Sequence, residues 1–358
     1  MTDPIYESFM GLSSRRIAHW EHWSNPDAAT YITGIDFYAQ PRSCMLRLKE
    51  IYPFLSLLDI PEQNTPFPRI EEQEDRGKGR WGHAYRDYWQ QEEAEQHFTS
   101  HEEMLRFSPL EQGDFTAWHI PEAGDYRSEE IIYQRYRKNY PAEWGDKAPE
   151  GSSAQVGFYN TMFMWPLLVF GYEHFLTICL DPRFERIMDE FAEINRRVFR
   201  SFARLPVNFV ICHDDIVLTS GPVCSPAWMR KYIFPRYEEF WGLLKQAGKE
   251  IIFMVDGCVD VFVNDVMACG VRGIISEPFT NYKAIARRYN DCFIAGEGDN
   301  RVLMRNDTNE IRSMVESMVE TGKMSGGYMM CIGNHIPFNV PPEAVKQYLD
   351  LSAELGHR

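Results

Sequence analysis

Short apolar runs alternate with longer amphipathic stretches from residue 155 to the end of this 358-residue chain, and this alternation restricts the fold more than any other feature. The apolar runs are residues 207–212, 251–255, 273–275, 293–295 and 328–332. The amphipathic stretches are residues 226–247, 258–268, 282–289, 308–321 and 342–355. Buried strands that alternate with helices build a parallel sheet, so the pattern predicts an α/β fold, either a barrel or a doubly wound sheet.

No glycine-rich phosphate-binding motif follows any of these runs, which disfavours a nucleotide-binding doubly wound sheet. The first 152 residues are rich in Pro, Trp, Tyr and charge, and their clearest strand candidate is residues 16–20. We expect a single domain over residues 1–358. In it, residues 1–152 form an irregular part with the first strand or strands, and residues 153–358 carry regular βα units.

Charge and hydropathy disfavour several classes of protein. A formal net charge of −15 offers no cationic surface to nucleic acid. No apolar stretch approaches the roughly 18 residues of a membrane span, and the N-terminal segment lacks the apolar core of a secretion signal. The eight cysteines are scattered without a CxxC pair, which predicts reduced thiols and a cytoplasmic protein. The sequence leaves open whether the protein forms a homodimer.

Each of the five predicted strands runs into polar residues. The side chains concerned are His213, Asp214, Asp256, Glu277, Glu297 and His335. Because the carboxyl ends of the strands in a parallel barrel open on one face, we expect these side chains to converge there. Asp and His after strands also commonly cap the next helix, and that alternative stays open for each residue taken alone.

Carboxylates crowded into a partly dry cavity need a cation or a proton to compensate them. Two carboxylates and one imidazole with an open fourth position match the ligands of a catalytic zinc ion. Glu277, Glu297 and His335 follow three successive strands and are the predicted zinc ligands. Asp256 is either a fourth ligand or a proton carrier. The alternative is that these side chains bind no metal and fill the mouth of the barrel as a hydrogen-bonded polar cluster.

Several segments, in this order and spacing, resemble the uroporphyrinogen decarboxylase superfamily. They are Gly171-Tyr172-Glu173 with Asp181-Pro182; His213-Asp214-Asp215-Ile216 with Gly221-Pro222, Ser225-Pro226, Trp228 and Phe234-Pro235; residues 251–257; residues 294–299 with Val302-Leu303, Thr308 and Glu310-Ile311; and residues 327–335 with residues 341–345. The resemblance is good from residue 155 onward. It implies a (β/α)8 TIM-type barrel with an N-terminal extension and long loops.

The superfamily includes decarboxylases and corrinoid-dependent methyltransferases. The decarboxylases bind substrate carboxylates through arginines of an early P-V-W-x-M-R-Q-A-G-R motif, and the corresponding residues 16–24 have no arginine after Trp20. Thiol-methylating members bind zinc through an H-x-C motif and a later Cys. At the positions of the H-x-C motif this chain has Met254 and Asp256, and at the position of the later Cys it has Asn334 or a neighbour. A site of oxygen and nitrogen ligands suits an ether oxygen better than a thiolate.

The resemblance therefore implies transfer of a methyl group from an aryl methyl ether to the cob(I)alamin of a separate corrinoid protein, with release of a phenol. The corrinoid is assigned to a partner because the chain has no D-x-H-x-x-G motif. A thiol or amine methyltransferase of the same fold and a non-catalytic ligand-binding paralogue remain alternatives.

In this hypothesis zinc at Glu277, Glu297 and His335 binds the ether oxygen. The candidate catalytic groups are Asp256, Asp214 and His213. The side chains predicted to contact the arene are Phe158, Tyr159, Met162, Trp165 and Met254, and ordinary core packing is the alternative for each of them.

Overall fold

The computed structural model describes residues 3–12, 14–57, 60–66, 69 and 97–358. The main sheet consists of β1 (Ala18–Glu21), β2 (Leu55–Leu57), β3 (Gln155–Phe158), β4 (Phe209–His213), β7 (Glu250–Met254), β8 (Gly273–Ile275), β9 (Phe293–Ala295) and β10 (Tyr328–Met330). Its strand order is β2-β1-β10-β9-β8-β7-β4-β3. Every pairing with a determined register in this sheet is parallel. The predicted (β/α)8 TIM-type fold is therefore confirmed.

Helices connect the strands, and a small antiparallel hairpin of β5 (Val217–Leu218) and β6 (Gly221–Pro222) follows β4. The helices are α1 (Pro4–Phe9), α2 (Pro26–Thr33), α3 (Pro41–Ile51), α4 (His101–Arg106), α5 (Pro109–Gln112), α6 (Glu129–Arg137), α7 (Met164–Phe170), α8 (Tyr172–Ile178), α9 (Phe184–Arg204), α10 (Pro226–Tyr232), α11 (Phe234–Gln246), α12 (Val263–Ala268), α13 (Tyr282–Arg288), α14 (Asn300–Arg305), α15 (Thr308–Met324) and α16 (Pro342–Leu355).

The helix predicted over residues 226–247 is in fact two helices. Ile233 separates α10 from α11 with a φ of −105° and a ψ of −61°, and Pro235 lies in the first turn of α11. A proline has no N–H to donate, and its ring clashes with the carbonyl four residues earlier, so it starts a helix readily but does not continue one. By contrast, β8, β9 and α16 have the predicted bounds.

The described residues fall into two compact units. One takes its residues from Met1–Tyr6 and Tyr85–Ile274, and the other from Glu7–Ala84 and Ile275–Arg358. The single domain expected over residues 1–358 stays a prediction. Within the first unit, β3 pairs with β4 along its whole length.

In the first unit, β3, β4 and β7 pair side by side. The long helix α9 packs against β3 through fully buried aromatic side chains. The ring of Phe158 on β3 lies 6.2 Å from that of Phe199 and 5.9 Å from that of Phe202. Phe158 is the register partner of Cys212, so this apolar layer lies beside the carboxyl end of β4.

In the second unit, β2, β1, β10 and β9 pair in that order, and α15 and α16 pack against each other. Buried residues recur three or four positions apart on both helices, as an amphipathic helix requires. They are Ile311, Val315 and Met318 on α15 and Val345, Tyr348 and Leu349 on α16. Within the described ranges, no helix is long and apolar enough to cross a membrane.

Candidate metal centre

Three side chains with metal-binding atoms gather where β4 and β7 end. Ligand atoms of His213, Asp215 and Asp256 all lie within 4.8 Å of one another. His213 Nε2 is 3.0 Å from Asp215 Oδ1, and the backbone N–H of Asp256 donates to the same oxygen at 2.8 Å. Two ligands at about 2.1 Å from a tetrahedral zinc ion are about 3.4 Å apart, so this spacing suits one divalent cation. Within the part of the chain that the structure describes, no other trio meets this spacing.

The alternation of side chains along extended backbone explains the composition of this cluster. Residues two apart in an extended segment point to the same side, so His213 and Asp215 face one way and Asp214 faces the other. His213 also pairs in register with Met254 on β7, which brings Asp215 beside Asp256, each two residues further on. Asp215 was not among the predicted site residues. The signal that identifies it is the His-x-Asp spacing after a strand.

Asp214 is fully buried on the opposite side and has a different environment. Its carboxylate accepts the backbone N–H groups of Met162, Phe163 and Met164 at 2.8, 2.7 and 2.5 Å. It also accepts the hydroxyl of Tyr237 at 2.6 Å. The three amides belong to the start of α7, whose first N–H groups have no partner within the helix. The arrangement favours a structural role for Asp214 over the predicted role in proton transfer.

Burial and nearby charges both shift the pKa values of Asp214 and His213, but burial dominates for Asp214 and the nearby charges dominate for His213. Burial raises the pKa of Asp214 to about 6, and its hydrogen bonds to Tyr237 and the three amides oppose a further rise. Burial lowers the pKa of His213, but the carboxylates of Asp215, Asp256 and Asp214 outweigh it and raise that pKa above its usual value. A bound cation would compensate the strongly negative environment around this buried imidazole.

Two of the five predicted arene-contacting residues lie at this cluster. The ring centroid of Tyr159 is 4.2 Å from that of His213, and Met254 is the strand partner of His213. Phe158, Met162 and Trp165 are instead fully buried in the helix-packed core. Phe158 precedes Tyr159 on an extended strand and therefore points to the other side of the sheet. For these three residues the structure fits the alternative, ordinary core packing.

The loop that carries Asp256 is held against the β5–β6 hairpin. Gly257 has a φ of +98°, and a Cβ there would lie 2.7 Å from the carbonyl carbon of Leu218. The N–H of Cys258 donates to the Leu218 carbonyl at 3.1 Å. Only glycine permits both the positive φ and this close approach, so Gly257 fixes the path of the loop immediately after Asp256.

Glu297, a predicted zinc ligand, is directed toward hydroxyl groups in the second unit. Its carboxylate accepts the Tyr328 hydroxyl at 2.8 Å and the Thr321 hydroxyl at 3.1 Å, with Ser317 at 3.4 Å. Thr321 and Ser317 belong to α15, so the carboxylate lies between the sheet and this helix. Burial raises the pKa of Glu297, and these hydrogen bonds and the charge of Lys283 oppose the rise.

The other two predicted zinc ligands are in the same unit but do not complete a cluster with Glu297. Glu277 is partly exposed between β8 and α13. His335 is buried, with Nδ1 2.6 Å from Asn334 Oδ1 and its ring 5.6 Å from that of His22. The three residues do not form a group by the spacing that His213, Asp215 and Asp256 satisfy. Zinc at Glu277, Glu297 and His335 stays a prediction, without support from this geometry.

We expect Glu297→Gln to retain any bound zinc and to change the free energy of unfolding by about 1 kcal/mol or less. A glutamine oxygen still accepts the Thr321 hydroxyl, and its amide pairs with the rotatable hydroxyl of Tyr328. Elemental analysis beside His213→Ala provides the measurement. If Glu297→Gln loses zinc and His213→Ala keeps it, the zinc site predicted from the sequence at Glu277, Glu297 and His335 is correct.

The stretch that corresponds to the decarboxylase arginine motif is used for internal packing. Glu21 is fully buried and accepts the Tyr348 hydroxyl at 2.7 Å and the Ile332 N–H at 3.2 Å, with His19 Nε2 at 2.8 Å. Arg16 donates to the Ser352 and Ala353 carbonyls at 2.6 and 3.2 Å near the end of α16. Its guanidinium therefore binds the protein's own backbone.

The fold and this cluster together define a TIM-type barrel protein with a candidate metal centre at its strand ends. The family profile of uroporphyrinogen decarboxylase (URO-D) matches residues 167–355. The chain therefore belongs to the uroporphyrinogen decarboxylase family, and the family identified from the sequence motifs is confirmed.

Two solved structures are similar to the chain. A methyltransferase from Methanosarcina mazei has a TM-score of 0.53 and 12% identity, over 98% of this chain and 97% of that chain. At this identity the similarity supports the fold. A xylose isomerase-like TIM barrel protein from Mycobacterium smegmatis in complex with magnesium covers 69% of this chain and 95% of its own, at 12% identity, but its TM-score of 0.28 supports no conclusion. No curated protein matches the chain significantly.

Proposed function

We propose that this protein is a metal-dependent methyltransferase that takes a methyl group from a small aromatic methyl ether and passes it to the corrinoid of a separate protein. The observation that carries the proposal is the cluster of one imidazole and two carboxylates, without a thiol, at His213, Asp215 and Asp256. Methyl transfer is one of the two chemistries that the family resemblance implies, and the similar fold of a methyltransferase supports that choice.

The ligand set determines which metal and which substrate atom the site suits. One nitrogen and two oxygen ligands with an open position are typical of catalytic zinc. Zinc bound there would polarise the ether oxygen and stabilise the negative charge that the departing phenolate acquires. A thiolate substrate is instead matched by the softer, sulfur-rich sites of thiol-methylating relatives. We therefore infer an O-methyl substrate rather than an S-methyl one.

The chain's own residues prepare the site in three ways. The N–H of Asp256 fixes the orientation of the Asp215 carboxylate, so less ordering is needed when a cation binds. His213 and Asp215 are buried, which excludes most water from their side of the cluster. Tyr159 lies edge-on to His213 and, with Met254, offers apolar surface to an aromatic ring.

Decarboxylation of a polycarboxylate is the less favoured chemistry. A substrate with several carboxylates needs cationic partners, and the chain has no arginine between Trp20 and Ser24. The nearby Arg16 is engaged by the Ser352 and Ala353 carbonyls. Buried Glu21 would add negative charge to that stretch rather than attract a carboxylate.

The test is methyl transfer to free cob(I)alamin under strictly anaerobic conditions. Zinc-loaded wild-type protein should form methylcobalamin with a methoxyarene such as guaiacol or veratrole, and the corresponding phenol should appear in equal amount. The formation of methylcobalamin is followed by absorbance and the phenol by chromatography. Methylamines as donors, and a small thiol as acceptor of methyl from methylcobalamin, complete the panel.

Asp215→Asn and Glu297→Gln serve as the matched pair of variants in this assay. Asp215→Asn should lower the rate by at least about 100-fold because it removes a ligand, whereas Glu297→Gln should stay close to the wild type. If no methoxyarene yields methylcobalamin but a small thiol is methylated readily, the thiol methyltransferase alternative is correct. Inactivity with the whole panel, together with an absence of bound zinc, would favour the non-catalytic alternative.

A further inference from the structure

His101 and His174 form a pair of histidines that the proposed methyl transfer does not use. His101 is the first residue of α4, and His174 lies in the first turn of α8. His101 Nε2 is 3.3 Å from His174 Nδ1, and the two ring centroids are 5.4 Å apart at an interplanar angle of 79°. His101 is exposed and His174 is half-buried, so the pair can be reached from solvent.

Capping hydrogen bonds fix the start of α4, where His101 lies. The Ser100 hydroxyl accepts the N–H of Glu103 at 3.2 Å. The Glu103 carboxylate in turn accepts the N–H and the hydroxyl of Thr99 at 2.7 and 2.8 Å. Met104 anchors the same helix in the core. His101 therefore extends from a helix end whose position is determined by its neighbours.

A buried aromatic side chain fixes α8 beside it. Phe175 is fully buried, with its ring 5.3 Å from that of Phe163 and 5.8 Å from that of Phe184. His174 directly precedes Phe175 on the helix and therefore lies on a different side of it. Because α4 and α8 pack against each other, the two imidazoles are held together by elements that other residues position.

The spacing of the two ring nitrogens is that of two ligands of one metal ion. Nitrogens at about 2.1 Å from a tetrahedral zinc ion are about 3.4 Å apart, and the distance from His101 Nε2 to His174 Nδ1 is 3.3 Å. In the hydrogen-bonded pair, one nitrogen donates a proton to the other. Two neutral imidazoles without that proton offer two lone pairs, so a divalent cation can take its place.

The carboxylates next to His101 on α4 have other partners. Glu102 is 2.9 Å from Arg183 and 3.0 Å from Arg106. Glu103 caps the start of the helix. Water would therefore fill the remaining coordination positions of a bound ion. Imidazole is a ligand that suits zinc, copper and nickel, so the ligand set favours an ion of this class over magnesium or calcium.

We propose that His101 and His174 form a further metal site, which binds one divalent ion of the zinc, copper and nickel class and fastens α4 to α8. The site shares no ligand with the cluster at His213, Asp215 and Asp256. Unfolding separates the two imidazoles, so the ion binds the folded chain more tightly than the unfolded chain and stabilises the contact between the helices. The proposal does not depend on methyl transfer.

The experiment is a zinc titration against a chromophoric chelator at mildly alkaline pH, where imidazole is neutral. His101→Gln and His174→Asn each place an amide near the position of the ligand nitrogen, so they can keep a hydrogen bond but lose the imidazole ligand. We expect each variant to bind one zinc ion of the wild type at least about tenfold more weakly. This difference is expected whether or not the cluster at His213 also binds zinc, because the variants leave that cluster intact.

Amide hydrogen exchange gives a second measurement, which locates the ion. Zinc should slow exchange in residues 101–106 and 172–178 of the wild type but not of His101→Gln. His119→Ala is the matched control and should behave as the wild type, because it removes an exposed histidine outside the pair. Wild-type zinc affinity in both pair variants, or zinc binding that slows exchange in neither helix, would overturn the proposal. Binding to the pair only at millimolar zinc would also overturn it.

Discussion

Asp215→Asn is expected to bind zinc at least about 100-fold more weakly than the wild type, a larger effect than the 10–100-fold typical of residues that only support a ligand. The substitution keeps the size of the side chain but removes the negative charge beside His213 and Asp256. It also replaces one acceptor oxygen by an N–H2 group that repels a cation. The measurements are elemental analysis of the purified protein and a zinc titration against a chromophoric chelator.

Two other variants test whether the loss belongs to this site. Asp260→Asn removes an exposed carboxylate from the same loop as Asp256 and should leave zinc affinity unchanged within about twofold, since exposed charges are screened. Glu297→Gln should also keep the metal. Equal zinc affinity in Asp215→Asn and the wild type would remove the His213 cluster from the proposal. Parallel thermal unfolding of each variant excludes loss of the fold as the cause.

The sequence predicted the strands of the regular part well because each is a short apolar run between polar residues. The bounds of β8 and β9 are as predicted, and β7 is displaced by one residue. Burial on both faces requires apolar side chains at every position of such strands, and that pattern is local. In residues 1–152 polar and aromatic residues are mixed, and β2 was not predicted there.

The residues of the candidate metal centre were harder to predict because they depend on the direction of each side chain. The strand predicted to end at residue 212 extends to His213, and successive residues beyond it point to opposite sides. To decide whether Asp214 or Asp215 lies beside His213, one must know that residues 213–215 are extended, and the residue types alone are not enough. The His-x-Asp spacing indicates that Asp215 points to the same side as His213, but it is hard to recognise because His213, Asp214 and Asp215 are all polar.

Glu297 illustrates the same limit over a longer distance in the chain. It follows β9 as predicted, but Thr321 and Ser317 on α15 and Tyr328 on β10 supply the hydroxyl groups that bind it. Nothing in residues 293–299 alone indicates these partners. Similarly, the aromatic character of Phe158 and Trp165 fits an arene pocket and a core equally well, and it is their burial that favours the core.

Asp214→Ala is expected to destabilise the fold by about 3–5 kcal/mol, because it leaves the amides of Met162, Phe163 and Met164 buried without an acceptor. Asp214→Asn should cost nearly as much. Asparagine keeps one oxygen but places an N–H2 group against amides that also donate. Chemical denaturation followed by circular dichroism measures the loss, and a lower melting temperature is the corresponding result if unfolding is irreversible.

Tyr237→Phe keeps this prediction testable if the Asp214 variants fail to fold. It removes one of the four donors to Asp214 and leaves no buried donor without an acceptor, so we expect a loss of about 2 kcal/mol and a folded protein with unchanged zinc affinity. An Asp214→Asn protein as stable as the wild type would contradict the structural role. Asp215→Asn should show the opposite combination, near-normal stability and lost zinc. These results together would assign separate roles to two adjacent carboxylates on opposite sides of one extended segment, with Asp214 supporting the fold and Asp215 binding the proposed metal.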